Sequence, residues 1–462
     1  MIAPIRLLGL AMAGAAFGAP AAEFPLQVKN MTMAEARRCP GGYGVFSMLS
    51  ASQPPELKKA PAPVSAHPLY ARTAAEAPGG RTGTPGSVWL FRFDESQGTG
   101  KGYDRLIVDL NQNGDLTDDP VAEAVPGQRP AGSNERASFG SIELPAAKTV
   151  GAWHPRFYAD IYLFNQRAIR ISDARMPIGQ LNLKAGNYLE AEVEVASVKV
   201  KLGVVDGNCN FQLGDLTTLF QAQPGPGEPQ RWHVRSGDYF VRDLDIAGRA
   251  EPAPGNRVAN HFSSVLYFGA KPFTVALAPD LRSLRVEPFT GPTGALQVPA
   301  QVAELVLALE KAPQRWEVLT PEPKEGQTVL PQGTYRMVKY TLSALADGAD
   351  WTRAVANEVA DKTVKVEAGA TAKLEAGLPL SLALTATRSQ ADTEAGLWAR
   401  IRSALGSKGS PSQVVNLDVK IHGAGGERYT SFFAAKRQVE PPRFAITDSA
   451  GKEIDAGAFQ FG

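Results

Sequence analysis

Residues 188–206 read "YLEAEVEVASVKVKLGVVD", and the apolar pattern of this stretch determines what kind of fold the chain adopts. Val193 and Val195 alternate with Glu192 and Glu194, the period of two that belongs to a strand with one wet face. After Ala196-Ser197 the phase flips, and Val198, Val200 and Leu202 alternate with Lys199 and Lys201. A continuous strand with that flip would turn half its valines to water, so the flip marks a hairpin turn at Ala196-Ser197. The hairpin pairs Glu194 with Lys199 and Glu192 with Lys201 on the exposed face, each pair contributing roughly 0.2–1 kcal/mol. Glu190, Glu192 and Glu194 recur at about 7 Å along that face, a spacing compatible with the two carboxylates of a glycosidase. The ladder is the better reading, because cross-strand lysines solvate these acids and nothing buries one of them to raise its pKa.

The same texture extends outward. Forty-five glycines and 35 prolines punctuate short runs rich in Val, Leu, Phe and Tyr, the signature of an all-β chain. Strands are expected at 87–94 ("SVWLFRFD"), 103–109 ("YDRLIVD"), 157–164 ("FYADIYLF"), 238–244 ("DYFVRDL") and 333–342 ("GTYRMVKYTL"). Pro313 favours two strands over a helix in "VAELVLALEKAPQRWEVL" at 302–319. One helix is expected at 391–409, where Leu397, Trp398, Ile401 and Leu405 share a stripe between Asp392 and Gly406. With 462 residues, two or three cores are expected. The expected fold is therefore mainly β: an antiparallel β domain over 22–290, a boundary near "FTGPTG" (289–294), and a β-sandwich of six to eight strands over 291–462.

Charge and the termini narrow the function classes. Lys and Arg number 48 against 47 acids, scattered along the chain, which argues against a nucleic-acid partner. Arg6 followed by the apolar run Leu7 to Ala19 and the small residues Ala19-Pro20-Ala21 reads as a signal peptide over 1–21. The mature chain is then expected to be periplasmic or extracellular and soluble, with no membrane anchor. In that compartment Cys39 and Cys209 are able to pair, although compartment and even number alone support it.

The densest chemistry lies in "DLNQNGDLTDD", residues 109–119, directly after the apolar run Leu106-Ile107-Val108. A cation held by protein oxygen needs several carboxylate, carboxamide and carbonyl oxygens within a few ångströms, and a tight loop with such residues at alternate positions supplies them. Asp109, Asn111 and Asn113 stand at loop positions 1, 3 and 5, Gly114 at the turn position 6, and Asp115 offers its carbonyl at 7. Position 12 is Pro120, so the closing acids are Asp118 and Asp119. The pattern recurs in "VVDGNCNFQLGD" (204–215), with Asp206, Asn208 and Asn210 at positions 1, 3 and 5 and Asp215 at 10, although Phe211 replaces the glycine. A third, eroded copy at 239–251 keeps Asp243, Asp245, Gly248 and Glu251. Such clusters between strands are also ordinary turn chemistry; two copies with one spacing favour a metal, and oxygen-only ligation selects Ca²⁺.

Loop one resembles the EF-hand-like calcium loops of dockerins and thrombospondin type 3 repeats through "DLNQNGD" and its trailing acids. The segments "LPQGTYRM" (330–337) and "VKVEAGATAKLEAG" (364–377) resemble transthyretin-like and carboxypeptidase-regulatory sandwich modules of exported bacterial proteins. These resemblances imply an accessory or surface module and bring no catalytic residue. Neither an HExxH helix nor a GxSxG elbow or P-loop is present, and His67, His154, His233, His261 and His422 are isolated. The sequence thus points to an exported, non-enzymatic calcium-binding structural or binding protein. The tryptophans leave a carbohydrate or cell-surface binding module as the alternative, with core packing as their commoner role. A metal-assisted hydrolase, using an incomplete calcium shell as Lewis acid, is the second alternative.

Overall fold

A computed structural model describes residues 22–39, 46–74, 88–98, 102–126, 135–164, 178–195, 198–221, 232–243, 259–313, 315–343, 353–356, 362–390, 413–434 and 437–459. The expected signal peptide, the 196–197 turn, the expected helix at 391–409, Trp351, Trp398, and Asp245, Gly248 and Glu251 of the third loop lie outside these residues.

The hairpin forms in the register that its charges require. Strands Asn187–Val195 and Val198–Val205 pair antiparallel, with Glu194 opposite Lys199, Glu192 opposite Lys201 and Val193 opposite Val200. Val193 and Val200 are buried. Glu190 meets Lys29 of the neighbouring strand Gln27–Asn30 at 3.7 Å and accepts from the Tyr188 hydroxyl at 3.2 Å. Lys201→Glu, which sets like charges opposite Glu192, is expected to cost no more than about 1 kcal/mol, read as a small shift of the urea midpoint. A loss several times larger would mean that the ladder is not an exposed one.

Most of the described strands assemble into three face-to-face sandwiches. In the first, the meander Leu69–Ala74, Val88–Asp94, Arg105–Val108 and Val121–Glu123 packs on a sheet ordered Phe46–Leu49, Gly179–Ala185, Arg156–Leu163 and Glu135–Glu143. Trp89, Phe91, Phe93 and Val108 of one sheet meet Phe139, Phe157 and Leu183 of the other. In the second, the sheet built on the 188–206 hairpin, with Gln27–Asn30, Tyr239–Arg242 and Ala259–His261, packs on Ala22–Pro25, Ser283–Pro288, Lys271–Leu277 and Val265–Phe268. The third joins an 11-stranded sheet to the small sheet Gln327–Pro331, Thr293–Gln297 and Thr371–Lys373. Tyr335, Tyr340 and Leu342 of the large sheet close on Leu296 and Leu330 of the small one.

Pro313 acts as the sequence suggests. Val302–Ala312 and Arg315–Leu319 are adjacent antiparallel strands rather than a helix. The expected boundary at 289–294 falls between strands Ser283–Pro288 and Thr293–Gln297, but the hairpin Thr218–Gln221 with Trp232–Arg235 extends the large sheet from the other side, Leu219 facing Trp316. The region after 290 holds more strands than the expected six to eight, because several are short and exposed, such as Arg443–Thr447 and Glu453–Ala458.

A short helix, Met33–Arg38, was not expected. Its signal is legible in "TMAE": the Glu35 amide donates to Thr32 Oγ1 at 3.3 Å while the Thr32 amide donates to Glu35 Oε2 at 2.6 Å, a capping box. The helix carries Arg37 onto Asp160 of Arg156–Leu163 at 2.7 Å. Cys39 and Cys209 are buried thiols in separate apolar clusters, with no disulfide between them. Burial pushes the Cys39 thiol up to about 12.

Candidate metal centre

Both acid loops begin directly after the last residue of an apolar strand and are of equal length. Loop one, residues 109–120, turns the chain from Arg105–Val108 to its neighbour Val121–Glu123 within one sheet. Loop two, residues 206–217, leaves Val198–Val205 in the second sandwich and enters Thr218–Gln221 in the 11-stranded sheet. One is a hairpin connection and the other a passage between sheets, yet the bonding among positions 1, 3, 5 and 10 is the same.

The first residue of each loop receives two amides. Asp109 accepts from the Asn113 and Gly114 amides at 3.0 and 2.9 Å; Asp206 accepts from those of Asn210 and Phe211 at 3.3 and 2.9 Å. Asn111 Oδ1 accepts from the Asn113 amide, as Asn208 Oδ1 does from that of Asn210, both at 3.1 Å. At position 5, Asn113 accepts from the Asp115 amide at 2.6 Å and Asn210 from the Gln212 amide at 2.9 Å. The carboxamides of positions 3 and 5 then converge on the acid at position 10. Asn111 and Asn113 reach Asp118 Oδ2 at 3.1 and 3.0 Å, while Asn208, at 3.3 Å, and Asn210 reach Asp215 Oδ2.

The backbone repeats too. Positions 4 and 6 are left-handed in both loops: Gln112 at φ +63° and Gly114 at +79°, Cys209 at +48° and Phe211 at +64°. Glycine is required at 114, where a Cβ would stand 2.6 Å from the Glu56 carbonyl oxygen. Phe211 takes the same turn with a bulky side chain, and its ring is held by the first core: it meets Trp89 edge-on at 4.6 Å between centroids and Phe157 at 5.0 Å. Packing therefore offsets the cost of an unfavourable φ.

The loops differ in how they close. In loop one the amide of position 2, Leu110, donates to Asp119 Oδ1 at 3.0 Å, and Lys59 pairs with Asp115 at 3.1 Å. In loop two the corresponding amide, Gly207, donates at 3.3 Å to Asp238, a residue not in the loop at all. Asp238 stands just before Tyr239–Arg242, which pairs with the strand that leads into loop two. Its other oxygen accepts from the Gly214 and Asp215 amides at 2.7 and 2.9 Å, so it ties the start of the loop to its end. Nothing local in the sequence marks Asp238, since its partner residues are distant in the chain. The eroded third copy contributes Asp243, which instead accepts from the Lys201 amide at 3.1 Å and caps the neighbouring strand.

The electrostatics of the two loops differ from those of other buried acids. Asp94 lies against Arg92, Asp160 against Arg37 and Arg136, and Glu317 against Lys311. Burial alone would raise the Asp160 carboxyl, but hydrogen bonds and charge from Arg37 and Arg136 outweigh it and hold it below the ordinary value. Asp206, Asp215 and Asp238 are all buried, and among the described residues none has an ion pair. Burial, reinforced by the like charge of Asp215, pushes Asp206 up to about 7; burial, with the charges of Asp206 and Asp215, raises Asp238 well above the ordinary aspartate value. In loop one, burial and then the charges of Asp109, Asp118 and Asp115 raise Asp119 to about 6, and its Oδ2 has no hydrogen-bond partner. Asp115, only partly exposed, is lowered by hydrogen bonds from Thr117 and Lys59.

The donor set is carboxylate, carboxamide and backbone oxygen. Among the described residues no three His, Cys, Asp or Glu side chains gather into a metal centre, so any ion here draws on Asn and carbonyl oxygen as well, the chemistry of a hard cation. His261 lies beneath loop two, its Nδ1 3.2 Å from Thr217 Oγ1, and burial followed by the charge of Lys339 lowers it to about 4. It is neutral at physiological pH and hydrogen-bonded rather than placed as a ligand. Trp89, Trp153 and Trp316 are buried in cores, and Trp232 packs edge-on against Trp316. No protein-family model, curated protein or solved structure matches the chain.

Proposed function

We propose that the chain is an exported, non-catalytic β scaffold whose strands are stapled by calcium at two loops. In loop one Asp109, Asn111, Asn113, the Asp115 carbonyl and Asp118 hold the ion; in loop two Asp206, Asn208, Asn210 and Asp215 do so. The observation that carries this reading is the repetition of one hydrogen-bond pattern in two loops that belong to different sheets and make different kinds of connection. Turn chemistry alone would let each loop settle differently, whereas a common ligand selects one arrangement of oxygens. The buried carboxylates of loop two, which no lysine or arginine among the described residues neutralises, add support: burying such charges is costly until a cation pairs with them. Export rests on the leader-like segment 1–21, and an extracellular supply of calcium suits sites with Kd on the order of 10⁻⁴–10⁻³ M. The glycan-binding alternative loses support from the tryptophans that are buried.

An ion that binds only the folded chain stabilises it by RT ln(1 + [Ca]/Kd), about 1.4 kcal/mol at tenfold excess. The melting temperature is expected to rise with millimolar calcium over EGTA, and Asp109→Ala to reduce that rise without removing it, loop two remaining intact. Equal melting temperatures for the native chain in calcium and in EGTA would overturn the proposal.

A further inference from the structure

The two loops meet in one apolar core. Leu110 of loop one and Cys209 and Phe211 of loop two are all buried in the cluster that surrounds Trp89. A polar path joins the same loops. Gln112 Oε1 accepts from Lys148 Nζ at 3.1 Å, and that ammonium lies 5.9 Å from the centre of the Trp89 ring. Trp89 in turn meets Phe211 edge-on at 4.6 Å. Gln112 and Phe211 are both left-handed residues at the turns of their loops, with φ +63° and +64°. Because an L residue keeps that conformation only while its loop enforces it, the direction of each side chain reports the state of its own turn.

We propose that the two loops take up their cations as a coupled pair, the ordering of one turn reaching the other through Gln112, Lys148, Trp89 and Phe211. This rests on the calcium reading above. Interiors are close-packed, so a ring fixed from one side has fewer positions open to it on the other. Filling loop one holds Gln112, and with it Lys148 and the face of Trp89. Phe211 then has a settled surface to pack on before loop two is filled, and less conformational freedom remains to be lost. The coupling must act equally in both directions, since it is a difference between binding free energies.

Calorimetric titration of the full chain with calcium tests this, using the native protein, Asp109→Asn, Asp206→Asn, and each of these combined with Lys148→Met. Removing either loop is expected to weaken the remaining site by about fivefold or more, by the same factor in both directions. Lys148→Met, at a partly exposed position, is expected to reduce that factor to within about twofold. Should an Asn variant fail to fold, Lys148→Met and Phe211→Leu in the otherwise native chain are expected to turn a steep uptake curve into that of two independent sites. Two ions bound by the native chain, with the affinity of the remaining site unchanged in each single-loop variant, would overturn the coupling and leave the calcium reading standing, as would a stoichiometry of one in the native chain. No uptake by the native chain would overturn both.

Discussion

Asp238→Ala is expected to lower stability in calcium by on the order of 3 kcal/mol or more, a larger loss than from any single carboxylate of the loops themselves. The residue is fully buried and accepts three backbone amides, from Gly207, Gly214 and Asp215. Alanine leaves all three without an acceptor, each at a cost of roughly 1–3 kcal/mol, and no water enters readily where Gly237 already abuts the Asp215 carbonyl. Asp238→Asn keeps one oxygen and removes the charge, so its loss is expected to be clearly smaller, and smallest in EGTA, where the charges of Asp206 and Asp215 are unrelieved. Urea denaturation with and without calcium measures both. Asn and Ala variants that lose stability equally in the two media would show that the charge of Asp238 does not matter and that it acts only as a neutral clasp.

The stabilisation by calcium is expected to grow between pH 5 and pH 8, by several degrees of melting temperature. The carboxyl of Asp206 keeps its proton in the folded chain up to about 7, against 3.8 for an ordinary aspartate, and Asp215 and Asp238 are raised as well. A group whose folded value is raised contributes stability that is complete below the ordinary value and lost as pH rises through the folded one. In EGTA, therefore, the loop-two aspartates favour the fold near pH 4 and disfavour it above about 7, by on the order of 3 kcal/mol. On the proposed reading calcium replaces the proton as the partner of these carboxylates, so the gap between calcium and EGTA is expected to widen as protons leave. Taking the difference between the two media cancels the opposite trend from acids such as Asp160, which arginines hold low. A gap that stays constant from pH 5 to pH 8 would remove loop two as the place where the ion acts.

How much of this was legible in the sequence depends on the range of the forces involved. The hairpin at 188–206 was readable to the residue, because a period of two and a phase flip are local properties and the Glu–Lys register follows from them. The strand pair at 302–319 followed from one proline. Loop one's candidate oxygens stand out because a loop able to wrap an ion must carry them in sequence order. The capping box at Thr32 and Glu35 is equally local, but the helix it starts is only six residues long, too short to carry an apolar period.

The sequence by itself determined the β texture, the hairpin register and the two look-alike acid loops, since each depends on side chains only a few residues apart. Tertiary structure alone decided that there are three sandwiches, that Asp238 closes loop two from a neighbouring strand, and that Phe211 holds a left-handed turn because Trp89 and Phe157 pack on its ring. Burial and like-charge repulsion arise where distant segments of chain converge, and no window of sequence contains both partners.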